Sequence, residues 1–140
     1  MSQIDILMTR PQIEVFGNLD FKRKIVPKGR RLGATFGAAV FFLKCLNDGE
    51  CPLLWGDTIH SNIDRYVERY FSPIAKRMRM PFKWEKQKRT FHAGNGYIDF
   101  RSADNPENWE GFGYKGVFLN ESGIILKNRY LWDNAVQPMM

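Results

Sequence analysis

Residues 25–35 read Ile25-Val26-Pro27-Lys28-Gly29-Arg30-Arg31-Leu32-Gly33-Ala34-Thr35, and the fold turns on them. Lys22 to Pro27 contains a short extended run ending in the β-branched pair Ile25-Val26. A basic turn punctuated by glycine follows, and from Ala34 to Leu46 the chain is rich in Ala and Phe. That order predicts a strand, a tight loop and a buried helix. The octet Lys28–Thr35 compares with the phosphate-cradling pattern G-x-x-x-x-G-K-[ST]. Gly33 and Thr35 match it, while Lys28 replaces the first glycine and Ala34 replaces the lysine. The chemistry the loop requires is still available. Backbone N–H groups around Gly33, at a helix start, can surround phosphate oxygens, and Thr35 can hold magnesium. Lys28, Arg30 or Arg31 can offset phosphate charge from the other end of the loop.

Working outward, Gly49 and Pro52 punctuate the chain and Leu53-Leu54-Trp55 reads as a second buried strand. Beyond Gly56-Asp57-Thr58, the residues Ile59, Ile63, Tyr66, Val67, Tyr70, Phe71 and Ile74 recur at steps of three and four. They predict a helix with those side chains on its core face and Asp64, Arg65, Glu68 and Arg69 in solvent. Asp57, Thr58 or Ser61 is the expected cap. Thr90–Ala93 and Tyr97–Arg101 flank Gly94-Asn95-Gly96, a hairpin signal because these turn residues tolerate positive φ. Ser102 to Gly116 is turn-rich, Val117-Phe118-Leu119 is a brief apolar strand, and Tyr130 to Met140 begins another helix.

Strands that alternate with helices predict an α/β fold with a mostly parallel sheet flanked by helices, carrying a β-hairpin insertion. Such sheets bind ligands at the carboxyl ends of their strands. The loop at 28–35 and the pair Asn120-Glu121 each follow an apolar strand directly. A strand ending in a carboxylate is the second half of nucleotide chemistry: one residue organises the metal shell and the next polarises water. Glu121 suits the second role. Asn120 keeps an acceptor for the first role but lacks its charge.

Composition sets wider bounds. A chain of 140 residues, 44% hydrophobic and 14% aromatic, is enough for one domain with a real core. The formal charge of +6 favours a polyanionic partner. Cys45 and Cys51 do not form a CxxC pair and His60 and His92 lie far apart, so neither a zinc site nor a disulfide framework is expected. The uncharged stretch Leu32–Leu43 is well short of the roughly 20 residues of a membrane span. With no signal-peptide pattern at the start, the expected location is the cell interior.

Taken as a set, these motifs resemble the large subunits of tailed-phage terminases. Gly29-Arg30-Arg31-Leu32-Gly33-Ala34-Thr35 resembles that family's G-R-R-x-G-K-T loop. Ile98-Asp99-Phe100-Arg101-Ser102-Ala103-Asp104, with Pro106 and Gly111, resembles the stretch before its second motif. Val117-Phe118-Leu119-Asn120-Glu121-Ser122-Gly123 resembles V-F-L-D-E-A, and Leu131-Trp132 with Pro138 resembles the helix that follows. The resemblance covers roughly residues 10–140 and implies a P-loop NTPase of the additional-strand, catalytic-glutamate type. It further implies an ATPase that uses ATP and Mg2+ to drive double-stranded DNA into a capsid. The deviant Walker A loop would be Lys28, Gly29, Arg30, Arg31, Leu32, Gly33, Ala34 and Thr35. Some members carry the loop lysine at the first position, where Lys28 stands, with Arg31 as its rival. Gln12 matches a glutamine that contacts adenine, Thr35 and Asn120 match the metal ligands, and Glu121 matches the catalytic glutamate.

The implied partners are a small terminase subunit, a capsid portal and further copies in a ring, all in the host cytoplasm. Two departures stand out: Asn120 replaces the usual Asp, and Glu110 stands where some members place an arginine before the glycine, leaving Arg101 as a substitute. The family's later sheet strands and nuclease domain are not in this sequence, so residues 1–140 are expected to be the N-terminal part of such an ATPase domain. A fragment, a split gene product or a truncation would account for that. Two other readings compete with hydrolysis. One is a catalytically inactive nucleotide-fold module acting in binding or assembly. The other is a basic DNA-binding domain that uses Arg30, Arg31, Lys83, Lys86, Lys88 and Arg89 on phosphates, with Trp84 interleaved.

Overall fold

The computed structural model describes residues 8–16, 33–109 and 113–137. The strand expected at Lys22–Pro27, the loop residues Lys28, Gly29, Arg30, Arg31 and Leu32, and Glu110 with Gly111 lie outside the described residues. Helix α1 (Arg10–Phe16) packs on α2 (Ala34–Asn47), and a short connection then feeds β1 (Leu53–Asp57). Next comes α3 (His60–Tyr66), which runs without a break through a wider π turn at Val67–Phe71 into α4 (Ser72–Arg77). Strands β2 (Phe82–Glu85), β3 (Thr90–Ala93) and β4 (Gly96–Ser102) follow, then a 3₁₀ turn at Pro106–Trp109 and β5 (Gly116–Leu119). The short α5 (Ser122–Ile125) and a π turn at Leu131–Val136 complete the described chain.

The five strands form one sheet in the order β2-β3-β4-β1-β5. β1 pairs in parallel with both β4 and β5, while β2–β3 and β3–β4 are antiparallel. Four of the five strands therefore point the same way and only β3 opposes them, which is the mostly parallel sheet expected. β1 is buried at every position, as a central strand covered on both faces must be.

Its side chains divide the core by their two-residue period. Leu53 and Trp55 join α2, α3, the π turn and α4 in one cluster. Leu54 joins Trp109, Tyr114, Ile125, Leu131 and Val136 on the other face. Trp55 is the hub of the first layer. It is fully buried, with ring centroids 4.4 Å from Phe118, 5.1 Å from Phe71, 5.8 Å from Phe42 and 5.9 Å from Phe100. Edge-to-face aromatic pairs add about 0.5–1.5 kcal/mol each beyond the area they bury.

The hairpin forms at Ala93–Gly96, with Gly94 at φ 58°, as its turn residues require. Two expectations are corrected. Residues 82–85, of which Lys83 and Trp84 read in sequence only as part of a basic run, are an edge strand. The helix after β1 is preceded by Ile59 and has no side-chain cap, because Asp57 still belongs to the strand.

Candidate functional site

β1 and its two parallel neighbours, β4 and β5, end at the carboxyl edge of the sheet. The C-terminus of α2 lies at the opposite, amino edge: a Cβ built on Gly96, the first residue of β4, would sit 2.9 Å from the Leu46 side chain. A helix of 14 residues rises about 21 Å, more than the length of β1, so its start returns to the edge where β1 and β5 end. A chain of contacts makes the same connection. Phe36, in the first turn of α2, meets Tyr70 with centroids 6.4 Å apart, and Tyr70 meets Tyr66 at 6.1 Å. The Tyr66 hydroxyl accepts a hydrogen bond from Asn120 Nδ2 at 3.3 Å. The helix start and the end of β5 therefore share one edge, joined through two tyrosines.

Gly33 begins α2 in the left-handed region, φ 73°, with no side-chain cap and no acidic residue in the first turn. Uncapped first-turn amides and the positive end of the helix dipole favour an anion there. The Gly33 carbonyl accepts from Gly37 N at 3.0 Å and from Gln12 Nε2 at 2.9 Å. A Cβ at Gly33 would meet Gln12 Nε2 at 2.5 Å, so the residue is glycine for two reasons, conformation and space. Gln12 is only 6% exposed, and its Oε1 accepts from Thr9 N at 2.8 Å. It is a buried brace between α1 and the loop rather than a free surface amide. Ala34 is buried, and Thr35 is half-buried in the first helical turn.

The register of β1 and β5 sets Trp55 opposite Phe118 and Gly56 opposite Leu119. Two residues beyond Trp55 and Phe118, on the same face, stand Asp57 and Asn120. Asn120 N donates to Gly56 O at 2.9 Å, extending the ladder, and Asn120 Nδ2 donates to Asp57 Oδ2 at 3.1 Å. Asp57 is fully buried and Asn120 is 3% exposed. Among the described residues, the Asn120 Oδ1 atom is buried without a hydrogen-bond partner. Leaving an acceptor in that state costs about 1–3 kcal/mol, so this oxygen is available to accept from a water or a ligand. A hard carboxamide oxygen and the Thr35 hydroxyl are donors that suit magnesium or its bound water.

Glu121 follows at once, exposed, at φ 56° and ψ 46°. A non-glycine residue held there is strained, and strain of this kind concentrates at functional positions. Burial raises the Tyr66 pKa, and the nearby Asp57 and Glu121 carboxylates raise it further, so the phenol stays protonated at neutral pH.

Asp57 and the Tyr66 hydroxyl are the site members that sequence reasoning passed over. The signal for Asp57 was the one already used for Glu121, a carboxylate at the end of an apolar strand. Arg101 does not stand ready to serve a neighbouring site. Its guanidinium lies 3.5 Å from Asp99 and donates to the carbonyls of Lys88, Phe100 and Asn108. Of the basic run, Arg89 is paired with Asp64 at 3.1 Å and Lys88 lies 3.9 Å from Glu85.

A mostly parallel sheet with helical layers on both faces and polar residues gathered at its carboxyl edge defines an α/β domain. Among solved structures, the large terminase ATPase domain of Thermus phage P74-26 shares it. That match has a TM-score of 0.78 and covers 95% of this chain and 60% of that one, at 16% sequence identity. The fold is therefore that of a large terminase ATPase domain, as the sequence resemblance implied, and this chain spans 60% of the solved chain's length. No family model matches the sequence, and no curated protein does. No helix among the described residues is long and apolar enough to cross a membrane.

Proposed function

We propose that this chain binds and hydrolyses ATP as the front part of a DNA-packaging motor ATPase. The triphosphate would lie against the first-turn amides of α2 at Gly33, Ala34 and Thr35. Residues 28–32 would complete the cradle, with Lys28 or Arg31 as the phosphate cation. Magnesium, when bound, would offset charge on the β- and γ-phosphate oxygens. On the protein side, the Thr35 hydroxyl and Asn120 Oδ1 would hold its shell. Glu121 would orient the attacking water and accept its proton. Gln12, through its bond to the Gly33 carbonyl, would fix the loop's exit into the helix and keep one amide hydrogen for the adenine side.

The observation that carries this reading is the contact chain Phe36–Tyr70–Tyr66–Asn120, which joins the helix start to the strand end at one edge. The likeness of the fold to the Thermus phage large terminase ATPase domain supports it. Double-stranded DNA, a small terminase subunit, a capsid portal, a ring of copies and the host cytoplasm belong to the same proposal.

Calorimetric titration of the chain with ATP in magnesium tests it, alongside Glu121→Gln. The expected result is ATP binding in both proteins and hydrolysis lost in the variant. Absent binding in wild type, or unchanged hydrolysis in the variant, would refute it. The uncharged Asn120 favours one rival, a module that binds nucleotide without turning it over, and hydrolysis above a Lys28→Ala control excludes that rival.

A further inference from the structure

Asp57 is a carboxylate at 0% exposure, and its described partners are all neutral donors. Thr58 N donates to Oδ1 at 2.7 Å, with Thr58 Oγ1 at 3.4 Å and Asn62 Nδ2 at 3.5 Å. On the other oxygen, Oδ2, Asn120 Nδ2 donates at 3.1 Å and Trp55 Nε1 at 3.4 Å. A buried carboxylate among neutral donors is expensive to keep, so its retention at a strand end calls for a purpose.

Its geometry relative to Asn120 supplies one. The Asn120 amide has two ends, and Asp57 decides which faces which way. With Nδ2 bonded to Asp57 Oδ2 and to the Tyr66 hydroxyl, the oxygen has no partner among the described residues and is turned away from the carboxylate. Flipping the amide would bring two acceptor oxygens together, so the orientation is fixed. The bond also polarises the amide and makes Oδ1 a stronger acceptor, as outer-shell carboxylates do for the ligands they orient.

Resting on the nucleotide reading above, we propose that Asp57 is the positioning carboxylate of the metal side of this site. The negative charge absent at position 120 sits one strand over and acts through the Asn120 amide. Asn120 and Asp57 are then a matched pair. A carboxylate at 120 would face Asp57 across about the same short gap and be repelled, which accounts for the asparagine.

The test is a charge swap in the full chain, with magnesium titrated at fixed ATP and ATP binding measured separately in EDTA. Asp57→Asn is expected to weaken the apparent magnesium affinity by about 10-fold or more, with metal-free ATP binding unchanged. Asn120→Asp is expected to lower the thermal midpoint by setting two carboxylates side by side. The double variant Asp57→Asn/Asn120→Asp reverses the hydrogen bond with the same atoms, and is expected to recover both magnesium affinity and midpoint. It also serves if Asp57→Asn alone fails to fold. A merely structural role for Asp57 would lower stability without moving the magnesium titration apart from the EDTA one. Wild-type magnesium affinity in folded Asp57→Asn overturns this inference alone, as does a double variant no better than either single. Absence of magnesium-dependent ATP binding in wild type removes the nucleotide reading and this inference with it.

Discussion

Replacing Gly33 by alanine probes the junction on which the proposed phosphate cradle depends. Two costs are set by the structure. The backbone sits at φ 73°, where an L-residue with a Cβ loses roughly 1–2 kcal/mol relative to glycine. The new Cβ would also stand 2.5 Å from Gln12 Nε2, so the glutamine must withdraw and its 2.9 Å bond to the Gly33 carbonyl is lost. A net hydrogen bond of this type is worth about 0.5–1.5 kcal/mol. The sum is about 1.5–3.5 kcal/mol, or a fall in Tm of about 5–10 °C for a domain of this size. Urea denaturation followed by Trp fluorescence measures it.

The two costs can be separated. Gln12→Ala removes the bond and the clash together, so the double variant should cost less than the sum of the singles, by about the hydrogen-bond share. Gly33→Ala within 0.5 kcal/mol of wild type, or strict additivity with Gln12→Ala, would refute the brace.

Further outcomes follow from other parts of the molecule. Glu121→Gln should reduce ATP turnover by about 10²-fold or more in a steady-state phosphate-release assay; an unchanged rate would remove Glu121 as the base. Trp55→Ala should destabilise by about 3–5 kcal/mol in chemical denaturation, because five aromatic neighbours lose their common partner; a loss below 1 kcal/mol would contradict that packing. Burial pushes the Cys45 thiol up from 9.0 to about 11, with the nearby Asp48 and Glu50 adding to the shift. The thiol is therefore neutral below that value, and in a Cys51→Ser background alkylation at pH 8 should run about 100-fold slower than for an ordinary thiol and quicken as pH rises. Alkylation as fast as that of a simple thiol would show that Cys45 is not buried in this way. Tyr114→Phe removes a 2.7 Å bond to the buried Asp99 and should cost about 1.5–3 kcal/mol, read as a lowered denaturation midpoint.

Much of this architecture was legible because hydrophobic period and turn chemistry agree along the chain. Ala34 to Leu46 is apolar on nearly every side and became the buried α2, ending at Asn47. The three- and four-residue recurrence from Ile59 to Ile74 became one continuous helical run, although nothing in it foretold the wider turn at Val67–Phe71. Gly94 and Asn95 formed the expected hairpin. Strand β2 was missed because its charges were weighed ahead of its alternation: Phe82 and Trp84 pack inward while Lys83 points out.

Reading of the site divides along the same line. Gln12 and Gly33 meet, yet nothing local in sequence announces a bond across 21 positions. Asp57 was passed over because Gly56-Asp57-Thr58 reads as punctuation, when parallel pairing with Ser102 of β4 keeps it inside the strand. Tyr66 was expected in the core by its spacing. Its ring does pack there, but its hydroxyl reaches Asn120, and a helical period cannot show where the tip of a side chain ends.

The central claim is that the start of α2 and the end of β5 hold the two sides of one nucleotide. A crystal structure of the chain with magnesium and a non-hydrolysable ATP analogue measures that directly. The account predicts phosphate oxygens within hydrogen-bond distance of the Gly33–Thr35 amides, with Asn120 Oδ1 on the metal's shell and Glu121 facing the γ-phosphate. An analogue bound elsewhere, or phosphates that never approach Asn120, would contradict it.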